Sequence, residues 1–151
     1  MKKIIFILIF ILVNNCNGYQ PVFSSKGSNF YVNEISIKDG DKISQKLKKK
    51  FKPYELSENS KKEINLRINS SKISRSIAKN SKGDDTTFEM VINSNIKITL
   101  KDSDDLDINF QEKFVYNNQT NKFELEQYKK TIEDDLINKI FEKLIIKLRS
   151  L

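Results

Sequence analysis

The feature that most constrains the fold is a long run of alternating side chains between residues 87 and 100. One set is apolar and the other polar, so the two sets are expected on opposite faces of one β-strand. The apolar set is Phe88, Met90, Ile92, Ile96, Ile98 and Leu100, and the polar set is Thr87, Glu89, Asn93, Asn95, Lys97 and Thr99. Such a strand requires neighbours that bury the apolar face and leave the polar face in water.

Two flanking stretches provide those neighbours. Residues 62–68 and 106–116 alternate in the same way. Short polar turns at 82–85 and 101–105 join the three stretches, which predicts an antiparallel meander with one buried face and one hydrated face.

One irregularity interrupts the first of these stretches. Ile73 and Ile77 fall in the opposite phase from Ile64, Leu66 and Ile68. Since side chains of a strand alternate at every step, this odd step predicts a β-bulge or break near residues 70–71.

Two segments have a helical period instead. Ile43, Leu47 and Phe51 recur every four residues after Asp41, an N-cap residue, and Pro53 ends the pattern. This predicts a helix of about eleven residues. After a loop at 117–121, a second apolar stripe predicts a terminal helix of about 26 residues. Its members are Leu125, Tyr128, Ile132, Leu136, Ile137, Ile140, Phe141, Leu144, Ile145 and Leu148.

Adding a first strand at 30–37 gives the order β-α-β-β-β-α. Only one sheet face is apolar, so both helices are expected to cover that face. The sequence therefore predicts an α/β (α+β) two-layer sandwich, with a mostly antiparallel four-stranded sheet and two helices on one face. We expect residues 30–151 to form this single domain.

The beginning of the chain predicts a signal peptide at 1–15. Two lysines precede an unbroken apolar run at 4–13, which is too short to span a bilayer. Cys16 follows, and as the only cysteine of the chain it cannot form an internal disulfide. We expect lipidation of Cys16, with residues 16–29 as lipidated N-terminus and tether. An ordinary signal peptide with an incidental cysteine is the alternative.

The composition limits the chemistry. The chain has no His and one Cys, which excludes zinc sites built from these residues and catalytic triads that need His. Acidic pairs at 84–85, 104–105 and 134–135 remain, but the first two flank the long strand and the third lies within a helix. We therefore expect no enzymatic activity, no metal and no cofactor.

The charge is basic. The formal net charge is +7, and removal of Lys2 and Lys3 with the leader lowers it to +5. Such a balance fits nucleic acid, anionic lipid or a phosphorylated glycolipid, and the export signal argues against nucleic acid. Basic residues cluster at 46–50 and again on the predicted hairpin. The hairpin group is Lys72, Arg75, Lys79 and Lys82. Each cluster fits either a solvated surface or contact with anionic headgroups or phosphates.

The order of elements and four local stretches resemble the LptE-type lipopolysaccharide-assembly lipoproteins of the outer membrane. The stretches are 16–23 after the leader, the alternating strand at 86–100, the aromatic strand end at 114–117, and the helix end at 147–149. The resemblance spans nearly the whole chain, although no catalytic signature anchors it.

This resemblance implies a non-enzymatic protein that is lipid-anchored through Cys16 on the periplasmic side of the cell outer membrane. Its expected partners are an LptD-type β-barrel and lipopolysaccharide. It would sit as a plug within the barrel and support its assembly, and it would help to insert lipopolysaccharide into the outer leaflet. Arg75, Lys79 and Lys82 are assigned to lipopolysaccharide contact from charge and position. The alternative is a periplasmic lipoprotein that binds anionic envelope components without a barrel.

Overall fold

The four-stranded sheet has its strands in chain order. A computed structural model describes residues 28–37, 41–55, 62–101 and 104–151. The strands are β1 (Phe30–Ile37), β2 (Lys62–Lys79), β3 (Asp85–Leu100) and β4 (Leu106–Asn117). β1 runs parallel to β2, and the pairs β2–β3 and β3–β4 are antiparallel.

Two helices cover one face of this sheet. They are α1 (Lys42–Lys50), which connects β1 to β2 and is followed by a short 3-10 turn (Lys52–Tyr54), and α2 (Lys122–Arg149). The predicted two-layer α+β sandwich with the order β-α-β-β-β-α is confirmed. The predicted leader, Cys16 and the tether up to residue 27 lie outside the described residues.

The core lies between the helices and the sheet face predicted to be apolar. Even-numbered side chains of the three antiparallel strands point into it, and eight side chains of α2 meet them from the other layer. The fully buried side chains include Ile64, Leu66, Ile68, Met90, Ile92, Ile96, Ile98, Leu136, Ile137 and Leu144. Burial of these apolar side chains, at roughly 25 cal/mol per Å², is the main term that stabilises the fold.

The predicted bulge near residues 70–71 is wrong. β2 pairs with β3 without a register shift from Ile64 to Ser76, so the strand continues regularly through this region. The change of phase has another cause. Ile73 lies on the opposite face of the sheet, Ile77 lies where the register shifts between Ser76 and Ala78, and both are about half exposed. The odd step therefore reflects two exposed isoleucines and not a break in the strand near residues 70–71.

The irregularity near the start of the sheet lies in β1 instead. Its register against β2 shifts between Val32 and Glu34, so Asn33 is an extra residue. This bulge brings Val32 and Ile35 to the same buried face although they are separated by an odd number of steps.

Asp41 caps α1 as predicted, and it also fastens the helix to the sheet. Its Oδ1 accepts a hydrogen bond from the Ser44 backbone N–H at 2.8 Å, and its Oδ2 accepts one from the Ser70 N–H of β2 at 2.8 Å. The hydroxyls of Ser44 and Ser94 are both buried and both bond to the Ser70 hydroxyl. One carboxylate therefore links the helix start to the middle of a strand.

The two helices differ from prediction only at their ends. α1 ends at Lys50, before the eleven residues expected, because the chain tightens into the 3-10 turn in which Pro53 occupies a first-turn position. The stripe of α2 is buried as predicted except at Phe141, which is partly buried, and at Tyr128, which is 38% exposed. Neither described helix has an apolar stretch sufficient to cross a bilayer.

Candidate functional site

The sheet face that no described helix covers is the candidate site, and we call it the outer face. Odd-numbered side chains of β2, β3 and β4 lie on it, and the strand register aligns them in rows. From one end to the other, the rows are Arg67–Lys97–Asp107, Asn69–Asn95–Asn109, Ser71–Asn93–Gln111, Ile73–Val91–Lys113 and Arg75–Glu89–Val115. The outer face thus has a charged end, an uncharged polar centre and an end that mixes aliphatic and ionic side chains.

The two central rows form what we call the amide band. Its members are Asn69, Ser71, Asn93, Asn95, Asn109 and Gln111. Asn95 Nδ2 donates to Asn109 Oδ1 at 2.8 Å, and Gln111 Nε2 donates to Asn93 Oδ1 at 2.7 Å. These residues line a shallow groove of about 510 Å³. Because each primary amide has two donors and two acceptor sites, the band retains hydrogen-bonding capacity for water or a polar partner.

A buried carboxylate lies one row beyond the row that borders the amide band. Glu89 is only 7% exposed, and its Oε2 accepts hydrogen bonds from Arg75 Nε at 2.9 Å and Nη2 at 2.6 Å. Lys113 Nζ lies 3.8 Å from its other oxygen. Ile73 and Val115 flank this ion pair and are about half exposed. The negative charge of Glu89 is therefore balanced within the sheet, and Arg75 is not a free cation.

The structure spreads the three residues assigned to lipopolysaccharide contact along the β2–β3 hairpin. Lys79 Nζ lies 3.6 Å from Asp85 Oδ1, so it is paired like Arg75. Lys82 lies in the exposed turn, and no carboxylate among the described residues is within ion-pair distance of its ammonium group. Of the three, Lys82 therefore has the greatest capacity for an external anion.

The carboxylate of Asp85 is held by the hairpin itself. Ser76 Oγ donates a hydrogen bond to Asp85 at 2.6 Å, and this bond, helped by Lys79, holds the pKa of Asp85 below its usual value. Gly83 has a φ of 88° in the same turn, a conformation that side chains disfavour. The acidic residues of this turn stabilise the hairpin and its basic side chains.

Two lysines of the first basic cluster, Lys46 and Lys48, are engaged within the fold. Lys46 Nζ binds Glu133 at 2.6 Å and Asp134 at 2.9 Å on α2. Lys72 of β2 also binds Glu133, and Lys48 Nζ donates to the Ile35 carbonyl at 2.9 Å. These contacts support a structural role for the three lysines, and not contact with anionic headgroups or phosphates.

Glu133 is the hub of this network. Partial burial raises its pKa, but hydrogen bonds from Lys46 and Lys72 outweigh that effect and hold the pKa below its usual value. The ion pairs join α1, β2 and α2, three elements that are distant in sequence.

The acidic pairs do not converge. Asp85 begins β3, Asp105 lies beyond its far end, where it binds Lys97 at 2.7 Å, and Asp134 is on α2. Within the described parts of the chain, no group of His, Cys, Asp and Glu side chains could hold a metal ion. The positions of these carboxylates are explained by turns and ion pairs.

Comparison with known proteins gives a match in structure but not in sequence. No protein-family model and no curated protein matches the sequence. The fold is similar to a minor lipoprotein from Acinetobacter baumannii, with a TM-score of 0.57 and 12% identity over 80% of this chain and 90% of that one.

Two further structures have the same architecture. The rare lipoprotein B from Shewanella oneidensis aligns with a TM-score of 0.54 and 10% identity over 76% of this chain and 96% of that one. A lipoprotein B from Nitrosomonas europaea aligns with a TM-score of 0.54 and 12% identity over 85% of this chain and 88% of that one. At these identities the likeness establishes a shared fold.

Sequence reasoning identified the polar outer face but not its internal organisation. Prediction of the Arg75–Glu89 pair requires the register of β2 against β3, because an error of one residue would place Glu89 opposite a different side chain. The amide band was visible as separate Asn residues on three strands. Its rows could have been found by aligning the three alternating stretches across their turns.

Proposed function

We propose that this chain is a non-enzymatic lipoprotein, anchored through Cys16 on the periplasmic side of the outer membrane. In this proposal it supports assembly of an LptD-type β-barrel and insertion of lipopolysaccharide into the outer leaflet. The observation that carries the proposal is the shared fold with structures described as lipoproteins, over 76–85% of this chain. The leader and the single Cys16 support the same assignment from the sequence.

The outer face supports the barrel part of the proposal. The lumen of a membrane barrel is polar and hydrated, so a protein inside it needs a surface of uncharged hydrogen-bonding groups. The amide band offers such a surface across three strands, and the charges at its two ends are largely paired within the chain. A partner that binds there meets little uncompensated charge.

The basic hairpin supports the lipopolysaccharide part. Phosphates of a glycolipid bind cations through charge-assisted hydrogen bonds. Lys82 is exposed at the hairpin turn, with Lys79 and Arg75 further along β2. The two paired cations remain more than half exposed, at 63% and 66%, so they can reach a phosphate while they hold their carboxylates.

Site-specific crosslinking tests the proposal. A photoreactive side chain at Asn95, in the exposed centre of the amide band, is expected to capture a large outer-membrane barrel in intact cells. The matched control is Lys130, which is exposed on α2 on the other side of the molecule and is expected to capture no barrel. Capture of no barrel from Asn95, with the chain folded and in the membrane, would contradict the barrel assignment.

Lipidation has a separate readout. The Cys16→Ala variant is expected to lose labelling by a fatty-acid analogue, because no other thiol exists in the chain. Persistent labelling would refute the anchor site without affecting the crosslinking result.

The competing function is an envelope lipoprotein that binds anionic components without a barrel. The excess of positive charge favours it. Depletion of the LptD-type barrel separates the two functions: a plug should lose abundance when its host is absent, whereas an independent binder should not.

A further inference from the structure

One edge of the sheet is long, regular and unpaired among the described strands. β4 pairs only with β3, and its register is continuous from Leu106 to Asn117. The other free edges are irregular: β1 carries the Asn33 bulge, and the register at the unpaired end of β2 shifts between Ser76 and Lys79. Bulges protect an edge against pairing with another strand, and β4 has none.

The sequence of β4 is self-complementary about Phe110. Opposed residues in an antiparallel pair lie on the same face, so a two-fold symmetric pairing that continues both faces is centred on one residue. When that residue is Phe110, each copy places Asp107 opposite the other's Lys113 and Asn109 opposite the other's Gln111. Both pairs lie on the outer face, as a charge pair and an amide pair.

The charges of β4 select this register. The strand carries three charged residues, Asp107, Glu112 and Lys113, and Phe110 is the only centre that opposes an acid to a base within it. Centring on Glu112 or Lys113 would oppose like charges, which destabilises a strand pair.

The core-facing side of β4 fits the same register. It places Phe110 against its own copy and Leu106 against Phe114. Phe114 and Tyr128 are each 38% exposed and line a cleft of about 460 Å³ between β4 and α2. Glu112, which would face an aliphatic side chain, is bound by Lys143 of α2, so its charge is compensated.

We propose that this chain forms a symmetric dimer in which β4 pairs antiparallel with β4 of a second copy, centred on Phe110. The two sheets become one sheet of eight strands, and the second copy's Leu106 lies at the mouth of the cleft beside Phe114. The amide band continues from one copy into the other through Asn109 and Gln111. This inference uses the sheet edge and does not rest on the proposed barrel contact.

Charge reversal tests the register. In Asp107→Lys and in Lys113→Asp, both symmetric charge pairs become like-charge pairs, so the full-length chain in detergent should dimerise about tenfold more weakly. The double variant restores both pairs in reversed order and should recover wild-type dimerisation in sedimentation velocity. Glu34→Lys on the β1 edge is the control and should leave the dimer unchanged.

A crosslink gives an independent readout. A photoreactive side chain at Gln111, in a mixture of isotopically light and heavy copies, should join to the Asn109 region of the other copy. A wild-type chain that is monomeric at every concentration measured would overturn the proposal. So would single variants that dimerise like the wild type, or a crosslink from Gln111 only to another protein.

Discussion

The two faces of this sheet are built from adjacent residues of the same strands, yet different forces act on them. On β3, Ile96 is fully buried against the helices, whereas its neighbour Asn95 is exposed and bonds to Asn109. Burial of apolar area drives folding on the first face. On the second face, hydrogen bonds between exposed amides replace bonds to water and contribute little net free energy. Stability therefore resides in one face, which leaves the other face free for recognition.

The largest effect is expected on the core face. Ile96→Ala should lower the free energy of unfolding by about 2–5 kcal/mol, because it removes buried methyl groups and leaves a cavity. Urea denaturation measures the change. A loss below about 1 kcal/mol would mean that this side chain is not packed as described.

A smaller effect is expected where the two layers are joined. Asp41→Ala removes the cap of α1 and leaves the Ser70 backbone N–H without its acceptor. We expect a loss of about 1–3 kcal/mol in the free energy of unfolding. Asp41→Asn, which keeps one acceptor oxygen, should recover part of the loss; equal losses in both variants would argue against the hydrogen-bonding role.

The ion pairs that join the helices to β2 should make stability depend on pH. The pKa of Glu133 is lower in the folded chain than its ordinary value of 4.5, so its contribution is present above that pH. This contribution to stability is lost as the pH falls below 4.5 and through the lower pKa that Glu133 has in the folded chain. Glu133→Gln should therefore be less stable than the wild type at pH 7 and similar to it at the acidic end.

Thermal unfolding across this pH range measures the difference. The control is Asp135→Asn, an exposed carboxylate two residues along α2, which should follow the wild-type profile. A wild-type stability advantage over Glu133→Gln that stays constant down to acidic pH would contradict the assignment.

The smallest effect is expected on the outer face. Asn95→Ala should change the free energy of unfolding by less than about 0.5 kcal/mol, since both partners of its hydrogen bond can bond to water. The same substitution should weaken capture of the barrel from a probe at Asn93, if the amide band contacts it. A large loss of stability with unchanged capture would reverse the roles assigned to the two faces.

How well the sequence predicts the structure also differs between the core face and the outer face. Alternation and helical period predicted both layers, because the buried positions of β3 and α2 repeat with the period of their backbone. They failed at Ile73 and Ile77, since an apolar side chain carries no sign of which face it occupies when it remains exposed. The burial of Ser94 was not predictable from its own strand either, because its hydroxyl bonds to Ser70 of β2, which in turn bonds to Ser44 of α1.

The candidate site was less predictable for a related reason. Charge and position along the chain assign Arg75 to lipopolysaccharide contact, but its partner Glu89 lies fourteen residues away and meets it only through the strand register. In the sequence Lys46 is likewise one of a run of lysines, and only the position of α2 brings Glu133 beside it. Charges are assigned correctly only when the elements that carry their partners are placed.

The extra residue in β1 has a consequence for how relatives of this chain can vary. Removing Asn33 would restore simple alternation, with Val32 and Ile35 still directed toward the helices, so the length of this strand can change by one without exchanging its faces. An insertion or deletion in the middle of β3 would turn its isoleucines outward. Length variation among homologues should therefore accumulate at this border of the sheet, and an alignment that permits a gap there will detect kinship that a gapless comparison misses.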